Sequence, residues 1–514
     1  MDSSPLQPPP SSAVPSDAQH GVEQHGVEQQ QSAGSPTTDQ FWRWDAVQVA
    51  TETRAGRVSC VEVTRSVLER IAQQNPRLNA VTLDVGEEAL AAATALDQAF
   101  VRGVAPGPLH GVPVTIKDNI DVRGQRTPNG LPGLAGLIAP DDSPVTANLR
   151  RAGAVLVGRT NTPEVSMRPT TNNPLYGLTR NPWDDRISSG GSSGGAGSAV
   201  LAGMGALGHG NDIGGSVRIP ALHCGVPGIK PTQGRVPAYL PSMAGERTTI
   251  AALMSVQGVL ARSVADVRAG LTAMSARDVR DPWWVPAPLV GPEVPRRAAV
   301  LRGLDGAETH PTVLAAVDRA AAALRDAGYQ VDELTEARTP GLEAVARLAF
   351  RLMMADLNHQ VLPLLQRMGS EQVLEYWSVV AGMGEPYPDL GAHIDDLARR
   401  TTLTRQWLLF LEAYPVLVVP ELLGPLLRVD EDVASAEDTR RVWLGLRPSI
   451  AMNLMGLPAV MVPTGLDGGL PTGVQLVASR FREDVALDAA QAVEDRLGRL
   501  APVLWSRQEA DVPG

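Results

Sequence analysis

Gly111-Val112-Pro113-Val114-Thr115-Ile116-Lys117-Asp118-Asn119 opens a region in which strand-like and helix-like segments alternate: Val114-Thr115-Ile116, then Pro144 to Ala152, then Val155-Leu156-Val157. β-Branched residues suit strands because their stiff side chains pack on a pleated surface. Val155 to Val157 is apolar at consecutive positions, as in strands covered on both faces. Strands separated by helical segments imply an α/β body with a largely buried sheet.

The N-terminal side of this region reads as helical. Val47 to Gly56 forms a short helix, and Ser59-Cys60-Val61-Glu62 is a capping box opening a second helix through Ile71, with Val63, Val67, Leu68 and Ile71 on one face. Glu87 to Phe100 is a third, Ala-rich helix. Residues 1–37 are rich in Ser, Pro and Gln, and the five residues from His20 recur from His25. They offer no apolar face to pack and are expected to form a disordered tail before a body spanning 38–514. Toward the C-terminus, about 340–445 carries long helical segments rich in Leu, Met and Trp with little strand character, expected to cover the sheet or wall a pocket. Strand-like runs return at Ala459 to Val462 and Val474 to Val477, before a last amphipathic helix from about Glu483 to Leu497.

Composition excludes several function classes. The 514 residues carry a net charge of −11 and no cluster of five basic residues, which argues against nucleic-acid or anionic-membrane binding. The most apolar stretch, Ala413 to Leu427, is interrupted by Pro415, Pro420, Glu421, Gly424 and Pro425, so no membrane span is expected. Cys60 and Cys224 are far apart with no ligand spacing and no HExxH accompanies them, so neither a disulfide framework, a metal nor another cofactor is expected. These limits fit a cytoplasmic enzyme. Among 45 basic residues, only Lys117 and Lys230 are lysines. An ammonium can lose its proton inside a protein and a guanidinium effectively cannot, so a lysine retained among so many arginines marks a place for proton chemistry.

Ser188-Ser189-Gly190-Gly191-Ser192-Ser193-Gly194-Gly195 is followed closely by Gly210-Asn211-Asp212-Ile213-Gly214-Gly215-Ser216. Gly/Ser runs are commonly linkers, but this one lies between more apolar segments, with Ala196 to Leu207 helix-like behind it. GxxxxGK[ST] is absent, and the GxGxxG at Gly203, Gly205 and Gly208 follows a helix-like segment rather than a strand, which removes nucleotide-loop readings. Closely spaced glycines also let several N–H groups point at one spot, as an anion nest or an oxyanion hole does. A serine nucleophile here needs a base. A Ser-His pairing would recruit His110, His209 or His223, and G-x-S-x-G is matched formally at Gly190–Gly194 and Gly191–Gly195 without a strand leading in. The other solution is Lys117, which follows a strand and would serve as a base if desolvation keeps it neutral.

These motifs resemble the amidase signature family of Ser-Ser-Lys amide hydrolases. Lys117-Asp118-Asn119, Gly190 to Gly195 and Asp212 to Arg218 carry the resemblance, with Ser192 75 positions after Lys117 and Ser216 24 after Ser192. Gly158 to Glu164, Asn181-Pro182-Trp183, Gly228 to Val236, Asn453 to Pro458 and Gly469 to Gln475 match further, so the resemblance covers about residues 40–500. It implies a single large α/β/α fold with a mixed central sheet covered by helices. It also implies Ser216 as nucleophile, Ser192 as bridging serine after a cis peptide bond, Lys117 as base, and the amides of Ile213, Gly214, Gly215 and Ser216 as oxyanion hole, with no metal. Two positions depart from the family pattern: Ser189 stands where Pro is common and Asn211 where Ser or Thr is common. Neither is expected to touch a catalytic position, and Lys230 is expected to pair or pack.

The resemblance implies a small-molecule amide substrate and a monomer or homodimer. Its alternatives are carbamate hydrolysis and the role of the amidase subunit in an amidotransferase. Tyr176, the Pro128 to Ile138 loop, Phe350, Met353, Met354, Leu357, Trp377 and Trp407 are candidates for an apolar, aromatic pocket wall suited to an aryl or alkyl group.

Overall fold

Pro113–Lys117 forms the second strand of an eleven-stranded sheet in the computed structural model, which describes residues 40–510. The strands are β1 (Val81–Leu83), β2 (Pro113–Lys117), β3 (Val155–Thr160), β4 (Leu207–Asp212), β5 (Gly228–Lys230), β6 (Val256–Ala261), β7 (Arg297–Leu301), β8 (Gln330–Leu334), β9 (Val416–Val419), β10 (Ala459–Asp467) and β11 (Leu470–Val477). Their order is β1-β3-β2-β4-β6-β5-β10-β11-β9-β7-β8. β2 runs parallel to both β3 and β4, β7 runs parallel to β8 and β9, and the strands from β4 through β6, β5, β10 and β11 to β9 pair antiparallel. The sheet is mixed, as the resemblance implies.

Helices cover both faces, and the period-2 side-chain alternation of a strand shows it directly. Ala459 and Met461 of β10 join one apolar cluster with Trp377, Trp407 and Leu352, whereas Val460 and Val462 join another with Val114, Ile116 and Leu476. Burying each such large apolar side chain contributes roughly 1.5–3 kcal/mol. The capping box at Ser59 forms as read: Ser59 Oγ accepts from the Glu62 amide at 3.1 Å, and the Glu62 carboxylate accepts from the Ser59 amide at 2.8 Å.

Several elements differ from the sequence reading. The helix from Cys60 runs to Leu78 rather than ending near Ile71, with Pro76 in its last turn and left-handed Asn79 closing it. The helix-like stretch after Gly195 ends at Leu201, and the chain turns through Gly203 and Gly205 into β4. Gly203 takes φ +82°, and a Cβ there would lie 2.3 Å from the Trp42 ring, so the G-x-G spacing serves a tight turn. The 340–445 region is helical as expected but, against its expected lack of strand character, contributes the buried strand β9 between Pro415 and Pro420. A further helix, Ala501–Ala510, follows Glu483–Leu497. Among the described residues no helix is long and apolar enough to cross a membrane. The expected tail lies outside the described residues.

Candidate active site

Parallel pairing of β2 with β4 sets the site. Val114 aligns with Leu207 and Thr115 with Gly208, which carries Lys117 to the end of β4, where Asn211 and Asp212 stand. The carboxyl ends of adjacent parallel strands are where α/β sheets commonly bind ligands. Ser192 enters on the loop before the helix Gly194–Leu201, after a cis Gly191–Ser192 bond, and Ser216 on the loop between β4 and the helix Arg218–Cys224. The amide of Ser193 donates to the carbonyl of Ser216 at 3.1 Å, joining the two loops.

Lys117 Nζ lies 2.7 Å from Ser192 Oγ and 2.7 Å from Asn211 Oδ1. Asn211 thus contacts Lys117, contrary to the expectation that it would touch none of the positions assigned a catalytic role; Ser189, by contrast, is buried and donates to the Thr179 carbonyl. Lys117 is fully buried, and burial pulls its ammonium well below the usual range although the Asp212 carboxylate opposes the shift.

Asp212 organises the turn carrying Ser216. Its carboxylate accepts from the amides of Gly215 at 2.8 Å and Val217 at 3.1 Å, from the Arg218 guanidinium and from Asn453. Burial alone would raise this carboxyl, but Arg218 outweighs it and holds Asp212 well below the usual carboxylate range. The Gly215 N–H is thereby committed to Asp212. Among the described residues the amides of Ile213, Gly214 and Ser216 have no partner, so three of the four expected N–H groups are available to an oxyanion. Gly215 takes φ +117°, and a Cβ there would meet Ser449 Oγ at 2.5 Å and Ile219 at 2.7 Å, so this turn requires glycine. Behind it, Ser449 donates to Glu421, whose carboxyl burial pushes up to about 8 against the pull of Arg218.

The three histidines have other neighbours. His209 pairs with Gln257, His223 Nδ1 with the Ser188 carbonyl, and His110 lies near Cys60 and Asp97. None contacts a serine hydroxyl, which removes the Ser-His alternative. Cys60, Asp97 and His110 place ligand-type atoms within 4.8 Å of one another, a grouping the sequence spacing did not show. Asp97 there already accepts from the Cys60 and Val61 amides. Lys230 is buried and, among the described residues, donates only to the Pro231 carbonyl, so it packs rather than pairs.

Ser216 lines a cavity of about 20 Å³, room for about one water, walled by Met167, Ile219, Met353, Trp443 and Leu446. Arg168 also lines it, but its guanidinium is bound by Asp430, Asp432 and Thr170. Trp443 also lines a larger cavity of about 910 Å³, which Phe350 and Ile450 help to line. Of the expected wall residues, Met353 lines the Ser216 cavity and Phe350 only the larger one; Met354, Leu357, Trp377 and Trp407 are core residues, and Tyr176 and the Pro128 to Ile138 loop line neither cavity. Trp443 escaped the sequence reading.

The amidase family model matches residues 62–487. This chain belongs to the amidase signature family. An indoleacetamide hydrolase of Bradyrhizobium diazoefficiens is 47% identical over 472 residues, which cover 91% of this amidase and 89% of that protein. A glutamyl-tRNA(Gln) amidotransferase subunit of Moorella thermoacetica is 34% identical, with 85% and 93% covered. Among solved structures, a substrate complex of 6-aminohexanoate cyclic dimer hydrolase superposes with TM-score 0.76 at 27% identity, covering 89% of this amidase and 97% of that chain. A bacterial aryl acylamidase superposes with TM-score 0.78 at 23% identity, a likeness of fold. This amidase is thus a hydrolase acting on carbon-nitrogen bonds other than peptide bonds.

Proposed function

We propose that this amidase hydrolyses small arylacetamides through a Lys117–Ser192–Ser216 relay and an acyl-enzyme. The observation that carries the reading is the buried Lys117 amine, 2.7 Å from Ser192 Oγ, beside the loop that bears Ser216 and its free amides. Neutral Lys117 takes the Ser192 proton as Ser192 takes that of Ser216, and Ser216 Oγ attacks the carbonyl carbon. The C=O electron pair moves onto oxygen, stabilised by the N–H groups of Ile213, Gly214 and Ser216. Collapse of this intermediate breaks the C–N bond, and the proton on Lys117 returns through Ser192 to the leaving nitrogen. Water, losing a proton through Ser192 to Lys117, then attacks the Ser216 ester; the acyl C–O bond breaks, the proton returns through Ser192 to Ser216 Oγ, and the acid leaves. No step calls for a metal.

The wall of Met167, Ile219, Met353, Trp443 and Leu446 offers apolar and aromatic surface and no free charge, which suits an aryl group next to the amide. The relative that acts on indoleacetamide supports the same class. The relay would also attack a carbamate carbonyl, so urethane cleavage is the competing reaction of this site. A cytoplasmic location and a monomeric or homodimeric state belong to the proposal, as does the reading of 38–514 as one catalytic body.

The test is turnover by the purified chain alone on a panel of indole-3-acetamide, an aryl anilide and an aryl carbamate. Highest kcat/KM on the arylacetamide with ammonia released supports the reading. Preference for the carbamate would replace the substrate class. Activity only with an added partner protein would favour the amidotransferase role.

A further inference from the structure

Lys117 Nζ has two polar neighbours within hydrogen-bonding reach among the described residues, and they differ in kind. Ser192 Oγ can give or take a proton, whereas Asn211 Oδ1 can only accept. The orientation of Asn211 is set by a chain running away from Lys117. Asn211 Nδ2 donates to Asn119 Oδ1 at 3.1 Å, Asn119 Nδ2 donates to Ser166 Oγ at 3.0 Å, and Ser166 Oγ donates to Asn129 Oδ1 at 2.7 Å. Every link points its donor the same way, so turning the Asn211 amide around would set its NH₂ against Lys117 and its oxygen against the Asn119 oxygen.

A neutral amine has two N–H groups and one lone pair. With one N–H bound by Asn211, the lone pair is left to meet the Ser192 hydroxyl, as proton abstraction requires. We infer that Asn211, held by Asn119 and Ser166, is a positioning residue of the relay: it aims the Lys117 amine at Ser192 and, being uncharged, favours the ammonium far less than a carboxylate in its place would. The inference rests on the base role proposed for Lys117. It assigns work to Asn211, which touches Lys117 and not the substrate.

Other groups around Lys117 are already committed. From β4, His209 is bound to Gln257 and burial lowers it to about 3, so it stays neutral. Asp212 is engaged by Arg218, Asn453 and two amides. From β3, Arg159 donates to the carbonyls of Asp118 and Ile120, and Asp118 next along β2 accepts from the Gly130 amide. Asn211 is therefore the side chain whose replacement changes the charge in contact with Nζ without dismantling an ion pair.

The test compares kcat and kcat/KM from pH 5 to 10 on indole-3-acetamide for the full-length wild type, Asn211→Asp and Asn211→Leu, with melting curves to confirm folding. A carboxylate at 211 favours the ammonium. The acid limb of Asn211→Asp should therefore move up by at least one pH unit, with activity at least tenfold down at pH 7 and recovering near the wild-type plateau at high pH. Asn211→Leu, which cannot hold the N–H, should lose tenfold or more on the plateau itself. A folded Asn211→Asp with an unmoved acid limb, or with one constant loss at every pH, overturns the inference and leaves the base role standing. Full activity in Lys117→Met overturns the base role and the inference together.

Discussion

The backbone amide of Ser193 donates to the carbonyl of Ser216 across 3.1 Å, so the two glycine-rich loops, separated in sequence by a helix and a strand, form one unit. That bond holds the turn after Ser192 against the turn containing Ser216. Two serines in such different settings should differ in chemistry: Ser192 is buried against Lys117, and Ser216 lines the cavity.

A fluorophosphonate should therefore label Ser216. Its hydroxyl meets the cavity, and the free amides around it can hold the phosphoryl oxygen as they would an oxyanion. Ser216→Ala should abolish labelling, and Ser192→Ala should slow it at least a hundredfold while leaving the adduct on Ser216. Peptide mapping by mass spectrometry decides; an adduct on Ser192 or Ser193 would reverse the assignment.

Replacing Lys117 by Arg should be as damaging as replacing it by Met, a loss of 10³-fold or more in kcat. The guanidinium keeps a positive charge but does not give up its proton at usable pH, so it cannot accept one from Ser192. If charge alone mattered, Arg would restore much of what Met loses. Wild-type activity should rise with pH through an apparent pKa that belongs to the coupled Lys-Ser-Ser unit. Burial has moved the Lys117 ammonium downward, so this limb should lie below the ordinary lysine range.

Trp443 lines both the small cavity and the large one, with its indole N–H donated to Tyr376 at 2.9 Å and its ring edge-on to Phe350. A cavity with room for about one water has to widen to admit an arylacetamide, and Trp443 is the wall residue it shares with the larger space. Trp443→Ala should join the two spaces and raise kcat/KM for a bulky anilide relative to indole-3-acetamide by tenfold or more. The truncation should cost about 3–5 kcal/mol of stability, so the assay belongs well below the variant's melting temperature. An unchanged ratio between the two substrates would remove Trp443 from the substrate path.

The parts of this site that can be read from sequence are those whose chemistry is rare in this chain. Lys117 is one of two lysines and ends a strand-like run, and the glycines before Ser216 announce backbone amides free of side chains. Asn211 is not legible in the same way. It sits in a Gly-rich stretch after a segment that reads as a helix through Leu207, and only the β2–β4 register brings it beside Lys117. Trp443 is hidden for another reason. Val442 and Trp443 are both buried on the helix Ala436–Gly445, and periodicity does not tell which buried face meets a cavity and which meets the core. β9 was obscured by the prolines that bound it, although its residues alternate between the two apolar clusters like those of any central strand.

Lys230 makes the last prediction, because among the described residues it is buried with no carboxylate in contact and its one hydrogen bond goes to the Pro231 carbonyl. Burial lowers its ammonium to about 7, with Arg218 adding to the shift and Asp212 and Glu483 opposing it. In the unfolded chain the same amine holds its proton to about 10.4. Between these values the unfolded state binds more protons than the folded one, so this residue makes stability rise with pH across that window and contributes no slope below it. Lys230→Met keeps the length of the side chain and removes the titration. The variant should gain stability relative to wild type at pH 7, on the order of 2 kcal/mol, and the gain should shrink toward pH 10 as the lysine becomes neutral in both states. Urea unfolding at pH 7, 8.5 and 10 measures the difference between the two proteins at each pH and so cancels the titration of every other group. A variant less stable than wild type at pH 7, or a difference independent of pH, would mean that Lys230 keeps its charge in the fold and is held there by Asp212 and Glu483.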